Sequence, residues 1–440
     1  MTTEIAVLNR LGVALAADSA VTISSGGSSK VFNSADKLFE LSEHFPIGVM
    51  INDNMDCFGV PWEIIIKDFR QQHGATARPT VERWASDFLS FVETRPDING
   101  SAGSRYAYEV LFREIKIITD YAVEAFLKQK SPVKGHDSFE KILFEAAIWR
   151  SNNLENIEKI DRLKDVDVSQ FVNSLKDEFI NIIKKELAEP SEQLISGILS
   201  NVATSLVSKV ETNFSSGVIF AGYGKNDAYP AVYSVNVNGY VCDMLKYYDA
   251  NNGAIVGGLD TGHVVSFAQT DVSDRLLEGV DPSFINKTAS FLSDSIDVIA
   301  PQLVEALIPG RPRGRQQRED KVRAILSAIE GVYVKKAAVK FRKEFRKEFE
   351  GMIAMMPKME LIELAEALIS ITAIERKATT DQGTVGGPID VAFISKHEGF
   401  VWIKRKHYFD PHLNPRYFWR KYPPQSGREQ NDSRELPEAS

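Results

Sequence analysis

Thr2 is the residue whose position offers the most chemistry. When Met1 is removed, one residue carries both a hydroxyl and a free α-amine, and the amine can take the hydroxyl proton, which makes a complete nucleophile and base. An unperturbed α-amine titrates near ~7.7–8.0, close to neutrality, where a general base works best. A hydroxyl residue at position 2 means little alone, so the elements behind it must decide. Two apolar runs, residues 5–8 and 13–17, flank Asn9-Arg10-Leu11-Gly12; their length and the turn between them predict a buried hairpin. A first strand tied into a sheet holds the chain start rigidly, as chain ends usually are not. Asp18 closes the second strand, Lys37 opens a third over 37–41, and residues 46–51 read as a fourth. A strand-start Thr, a strand-end Asp and a strand-start Lys can meet at one end of an antiparallel sheet.

These residues resemble the proteasome β-subunit and HslV-like branch of the N-terminal nucleophile hydrolases. The resemblance rests on Thr2-Thr3, Gly12-Val13-Ala14-Leu15-Ala16-Ala17-Asp18-Ser19, Asp36-Lys37-Leu38 and Gly48-Val49-Met50-Ile51. It continues through Gly222-Tyr223, Gly257-Gly258, and Asp381 and Thr384 ahead of Gly386-Gly387. It implies an α+β fold, an αββα four-layer sandwich, and amide hydrolysis by a threonine peptidase. Thr2 would attack the carbonyl, Asp18 would position Lys37, and Asp381 with Thr384 would hold the amine and its water. The backbone N–H of Asn52 would be the oxyanion donor. Two positions depart from the pattern: Asn52 stands where the family has glycine, and Gly258 stands where it has a serine beside the nucleophile. The resemblance also implies a peptide or protein substrate, a homo-oligomer (a ring or smaller) and an unfolding ATPase partner. Two rivals stay open, a small-molecule amidase of the same fold and a catalytically silent, proteasome-like scaffold.

Composition bounds the remaining classes. A hydrophobic fraction of 43% supplies a sizeable core. A net charge of −8 argues against a nucleic-acid or anionic-membrane surface. No apolar run approaches the roughly 20 residues of a spanning helix, and Glu4 and Arg10 interrupt anything resembling a signal peptide. Two distant cysteines, Cys57 and Cys242, suggest neither a disulfide scaffold nor a zinc site and fit a reducing cytoplasm. His407, Asp410 and His412 have only loose metal spacing, so the expectation is no metal and no cofactor.

Four segments follow along the chain. Residues 1–100 read as the first half of the sandwich, strands followed by two helices with the stripes Trp62, Ile65, Ile66, Phe69 and Val81, Trp84, Phe88. Residues 96–104 are rich in turn formers and predict a loop. Residues 101–213 read as an inserted helical subdomain, and 214–406 as the second half, with Asn-Gly turns at 238–239 and 252–253. Helices are expected at about 283–308, 317–351 and 357–377 before a final strand pair. The basic run 335–347 reads as an amphipathic helix with Phe341, Phe345 and Phe349 on one face. An aromatic-basic extension and polar tail occupy 407–440.

Overall fold

The computed structural model describes residues 3–25, 28–128, 136–250, 253–259, 261–268, 271–307, 315–379, 386–407 and 409–417. In chain order, β1 (Thr3–Asn9) and β2 (Gly12–Ala17) form the expected hairpin. A second hairpin, β3 (Val21–Ser25) with β4 (Ser28–Phe32), precedes β5 (Leu38–Glu40) and β6 (Ile47–Asp53). A small hairpin, β7 (Asp56–Cys57) and β8 (Val60–Pro61), leads into α1 (Trp62–His73) and α2 (Val81–Glu93). Helices α3 (Pro96–Leu127), α4 (His136–Glu155), α5 (Val168–Ser174), α6 (Lys176–Glu186) and α7 (Glu192–Val207) follow. Then come β9 (Ser216–Gly222), β10 (Ala231–Val241), β11 (Met244–Asp249), β12 (Ile255–Val256) and β13 (His263–Ala268). The last helices are α8 (Asp271–Glu278), α9 (Pro282–Leu307), α10 (Arg315–Val332), α11 (Val339–Met355) and α12 (Lys358–Thr379), and the strands end with β14 (Asp390–Ser395) and β15 (Gly399–Lys404).

Two antiparallel sheets carry the architecture, one in the order β13-β1-β2-β14-β15 and one in the order β11-β10-β9-β6-β5. Alternation along β1 explains its unbroken apolar sequence. Ala6 and Leu8 pack with Met50, Ile219 and Ala221 of the second sheet, while Ile5 and Val7 pack against Leu361, Ala365 and Leu368 of α12. A strand covered on both faces has no polar side to show. The far face of the second sheet, Ile47, Val49 and Ile51, meets Trp62, Ile66 and Phe88 of α1 and α2 in a cluster that runs on through α3 and α7. Each such fully buried aliphatic side chain contributes about 1.5–3 kcal/mol. Asn9 clasps the far end of the hairpin, donating to the carbonyls of Ile353 and Met356, both at 2.9 Å.

Two local expectations are corrected. Residues 96–104 are helix, the first turns of α3, because Pro96 sits at the helix start with Asp97 in the first turn. Proline there forfeits no bond, and an early acidic residue complements the dipole. Asn238-Gly239 is not a turn but a bulge inside β10. A Cβ on Gly239 would lie 2.4 Å from the Tyr106 ring, so close approach explains this glycine. The reversal falls at Cys242 and Asp243, both with positive φ. Of the Asn-Gly pair at 252–253, Asn252 lies outside the described residues.

A π-helical segment, Tyr333–Ala338, links α10 to α11 inside what reads as one long helix. No described helix is long and apolar enough to cross a membrane. Residues from Arg405 onward form a separate unit, in which Asp410 accepts from the His412 backbone N–H at 2.8 Å and so caps a turn. Cys57 is buried and Cys242 half-buried, both as free thiols.

Candidate active site

The start of β1 and the end of β2 are clamped together by Asp18. Its Oδ1 accepts from the Thr3 amide at 3.1 Å and from Lys37 Nζ at 2.6 Å. Its Oδ2 accepts from the amides of Ala20 at 3.2 Å and Gly386 at 3.1 Å. A carboxylate offers about four lone-pair sites, so Asp18 is saturated and serves as an anchor, not as a base. Lys37 spends a second hydrogen on the Ala20 carbonyl at 2.6 Å. Thr3, Asp18 and Lys37 are all buried; a buried pair of this kind persists because the hydrogen bonds satisfy both partners.

Three segments converge here for local reasons. The Lys37 carbonyl accepts from the Ile51 amide at 2.9 Å, which sets the lysine beside the end of β6. Ser19 donates its hydroxyl to the Pro388 carbonyl at 2.7 Å and its amide to Gly386, tying the lead-in of β14 to the same corner. Glu4 also lies here, fully buried, with Oε1 3.9 Å from Lys37 Nζ. Asp390, likewise buried, pairs with Ala17, which pairs with Glu4, so the three form one row across the sheet.

The expected residues divide into three groups. Asp18 and Lys37 are brought together. Thr2, Asp381 and Thr384 lie outside the described residues, although Thr3 and Gly386, close to them in the chain, are both bonded to Asp18. Asn52 is buried at the right strand end, but its side chain lies over Gly217, whose Cβ would fall 2.1 Å from the Asn52 Oδ1. Because the Ile51 N–H points to Lys37, strand alternation turns the Asn52 N–H toward β9. The next N–H on the Lys37 side is that of Asp53.

Gly258 does not lie at the start of β1. Its neighbour Gly257 approaches the carbonyl of Asn9, and a Cβ there would be 2.9 Å away; this is the opposite end of β1. The register instead sets Ala268 opposite Thr3, with φ +63. β13, whose signal is the alternation across 263–268, lies beside the start of β1 instead.

Glu4 and Asp53 went unread as site residues. In the sequence Glu4 merely interrupts an apolar run, although a lone charge inside a buried strand is itself a signal. Asp53 is exposed at the rim in left-handed backbone, φ +61. Its carboxyl is held above the usual range, first by desolvation and then by the like charge of Glu211, with Lys37 pulling the other way. Among the described residues no group of three His, Cys, Asp or Glu side chains could hold a metal ion.

No protein-family profile and no curated protein matches the sequence. Similar solved structures include Anbu (ancestral beta-subunit) from Yersinia bercovieri, at 9% identity and TM-score 0.27, covering 95% of this chain and 94% of that one. The helical assembly of the Anbu complex from Pseudomonas aeruginosa matches at 9% and 0.28, covering 95% and 92%. An Anbu (Gly-1) mutant from Hyphomicrobium sp. strain MC1 matches at 8% and 0.28, covering 98% and 100%. Similarity at that level says nothing of chemistry, which the Asp18 centre must carry by itself.

Proposed function

We propose that this protein is an N-terminal nucleophile hydrolase of αββα fold that cleaves amide bonds with Thr2, in the manner of a threonine peptidase. One observation carries the reading: a saturated, buried Asp18 fixes the Thr3 amide and the Lys37 ammonium to the same oxygen. The clamp fixes the start of β1 and a buried cation to one carboxylate. In the proposed reaction the α-amine takes the Thr2 hydroxyl proton, Oγ bonds to the carbonyl carbon, and the oxyanion meets a backbone N–H at the end of β6, best that of Asp53. Asp381 and Thr384 hold the amine and its water, and Lys37 supplies positive charge. The helices within 101–213 are an insertion that thickens one side of the second sheet.

A homo-oligomer fits the outward apolar side chains of α9, where Phe284, Phe291 and Leu307 are 58%, 69% and 75% exposed. The same residues favour the second reading, a silent scaffold that works through assembly. Peptide or protein substrate, ATPase partner and cytoplasmic location belong to the hydrolase reading.

Intact mass and N-terminal sequencing, with and without a β-lactone probe, separate the two. The hydrolase reading expects a chain beginning at Thr2 that gains one probe mass, and no gain in Thr2→Ala. A chain that keeps Met1, or that begins at Thr2 and ignores the probe, would leave the scaffold.

A further inference from the structure

We infer that the outer face of the helix formed by α10, the π-helical segment and α11 is a docking groove for an acidic, amphipathic helical segment of a partner protein. Residues 335–347 hold seven basic residues and one acidic one, in a chain whose net charge is −8. The described bases are used in two ways. The arginines turn toward α8 and β13: Arg342 pairs with Glu278, and Arg346 pairs with Glu278 and Glu350 and donates to the Val264 carbonyl at 3.3 Å. The lysines are exposed. Among the described residues Lys336, Lys343 and Lys347 form no ion pair, and Lys340 has only Glu344, at 3.6 Å with the two side chains 71% and 63% exposed. An exposed pair of that kind is weak and readily exchanged.

The four lysines share one groove of about 720 Å³ with Val332 and Val339, which are 51% and 37% exposed. A solvated helix face ordinarily mixes both signs and sets no apolar side chains among them. An apolar floor with a rim of one sign instead suits an amphipathic helix, laid with its apolar face down and its charges at the edge. From Lys336 to Lys347 the row runs about 17 Å. It therefore answers roughly three turns of a partner helix with carboxylates at i, i+4, i+7 and i+11. Nucleic acid fits less well. The arginines that would fork onto phosphates are spent on Glu278 and Glu350, no aromatic ring lines the groove for stacking, and the negative chain repels a long polyanion. A bilayer also fits less well, because two short valines in a groove cannot reach into hydrocarbon. The groove stands whether the Asp18 corner is catalytic or silent.

The test is fluorescence anisotropy of the full chain with a dye-labelled peptide of about 12 residues, glutamate at those spacings and leucine beside them. A peptide of the same composition in scrambled order is the control. Wild type is expected to bind the ordered peptide, less tightly as salt rises, and the scrambled one about tenfold more weakly. Lys336→Gln, Lys340→Gln, Lys343→Gln and Lys347→Gln combined should weaken the ordered peptide about tenfold or more. Val339→Asn, which keeps every charge, should weaken it a few-fold. All these positions are exposed, so circular dichroism and the denaturant melt should not move. Equal binding of the two peptides, or an ordered peptide that ignores the combined lysine variant or Val339→Asn, overturns the proposal. So does a wild type that leaves the ordered peptide unbound, whether or not it takes up a DNA duplex or phosphatidylserine vesicles through the same lysines.

Discussion

Among the described residues two lysines, Lys37 and Lys246, are sealed inside, and they are kept in opposite ways. Lys37 has a carboxylate at 2.6 Å and a second at 3.9 Å. Lys246, on β11 behind α3 and α7, is equally buried but among the described residues is met only by neutral acceptors, the Tyr106 hydroxyl at 2.8 Å and the Ser205 carbonyl at 3.0 Å. Burial therefore pushes the Lys246 ammonium down to about 7, helped by the like charge of Arg113. The nearby carboxylate, Glu114, is spent on Arg150 through two bonds of 2.7 Å and on the Ser205 hydroxyl. A compensated lysine is a fixed charge; an uncompensated one is a titrating fault in the core. Only the first can serve as permanent electrostatics for a reaction.

The comparison is broken most severely at Asp18. Asp18→Asn removes the charge that Lys37 answers and mismatches a buried acceptor set, so unfolding free energy should fall by about 3–5 kcal/mol. With the chain start misplaced, β-lactone labelling should fall about a hundredfold. Denaturant melts and labelling rates check the two parts, and a variant that labels at the wild-type rate would show the clamp to be plain structure.

Lys246 comes next. Between pH 7 and pH 10 the unfolded lysine holds a proton that the folded one has released, so stability should climb by a few kcal/mol as pH rises through that window. Lys246→Met should flatten that climb without slowing labelling, as chemical denaturation along a pH series would reveal. A smaller effect is expected at Gly217→Ala, whose methyl would strike the Asn52 side chain. A loss of about 1–3 kcal/mol should accompany a several-fold drop in labelling, measured by the same melts and rates. Smallest is Asp410→Ala, in the separate unit, which should leave both the melt and the labelling of the sheets within about 0.5 kcal/mol of wild type.

Much of the Asp18 corner was legible in the sequence. The hairpin of β1 and β2 announces itself because both faces are buried and the turn residues are plain, and Asp18 and Lys37 follow as charges at strand ends. The long last helices also match their expected spans apart from the π-helical segment, since their stripes are long and periodic, whereas the short α8 was not expected. What escaped depended on contacts far along the chain. Gly239 looks like a turn until Tyr106 is seen against it, and residues 96–104 look like a loop because Gly100 and Gly103 weigh against helix locally. The β3–β4 hairpin carries a Gly26-Gly27 signal that went unused. Gly258 rests on a resemblance of glycine pattern, from which no strand register can be read, and its neighbour Gly257 meets the far end of β1.

The Asp18 clamp also has a bearing on timing. It grips the chain at the Thr3 amide, one peptide beyond the residue whose amine the proposed reaction would uncover. Every bond that Asp18 makes is indifferent to whether Met1 is still attached. On the proposed hydrolase reading, assembly of the corner and its activation would be separate events, and the second would need no rearrangement of the first. A chain could fold, be inspected and be stored with its centre complete, then be switched on by loss of a single residue. The same logic makes any handle fused ahead of Thr2 a silencer that leaves the fold untouched.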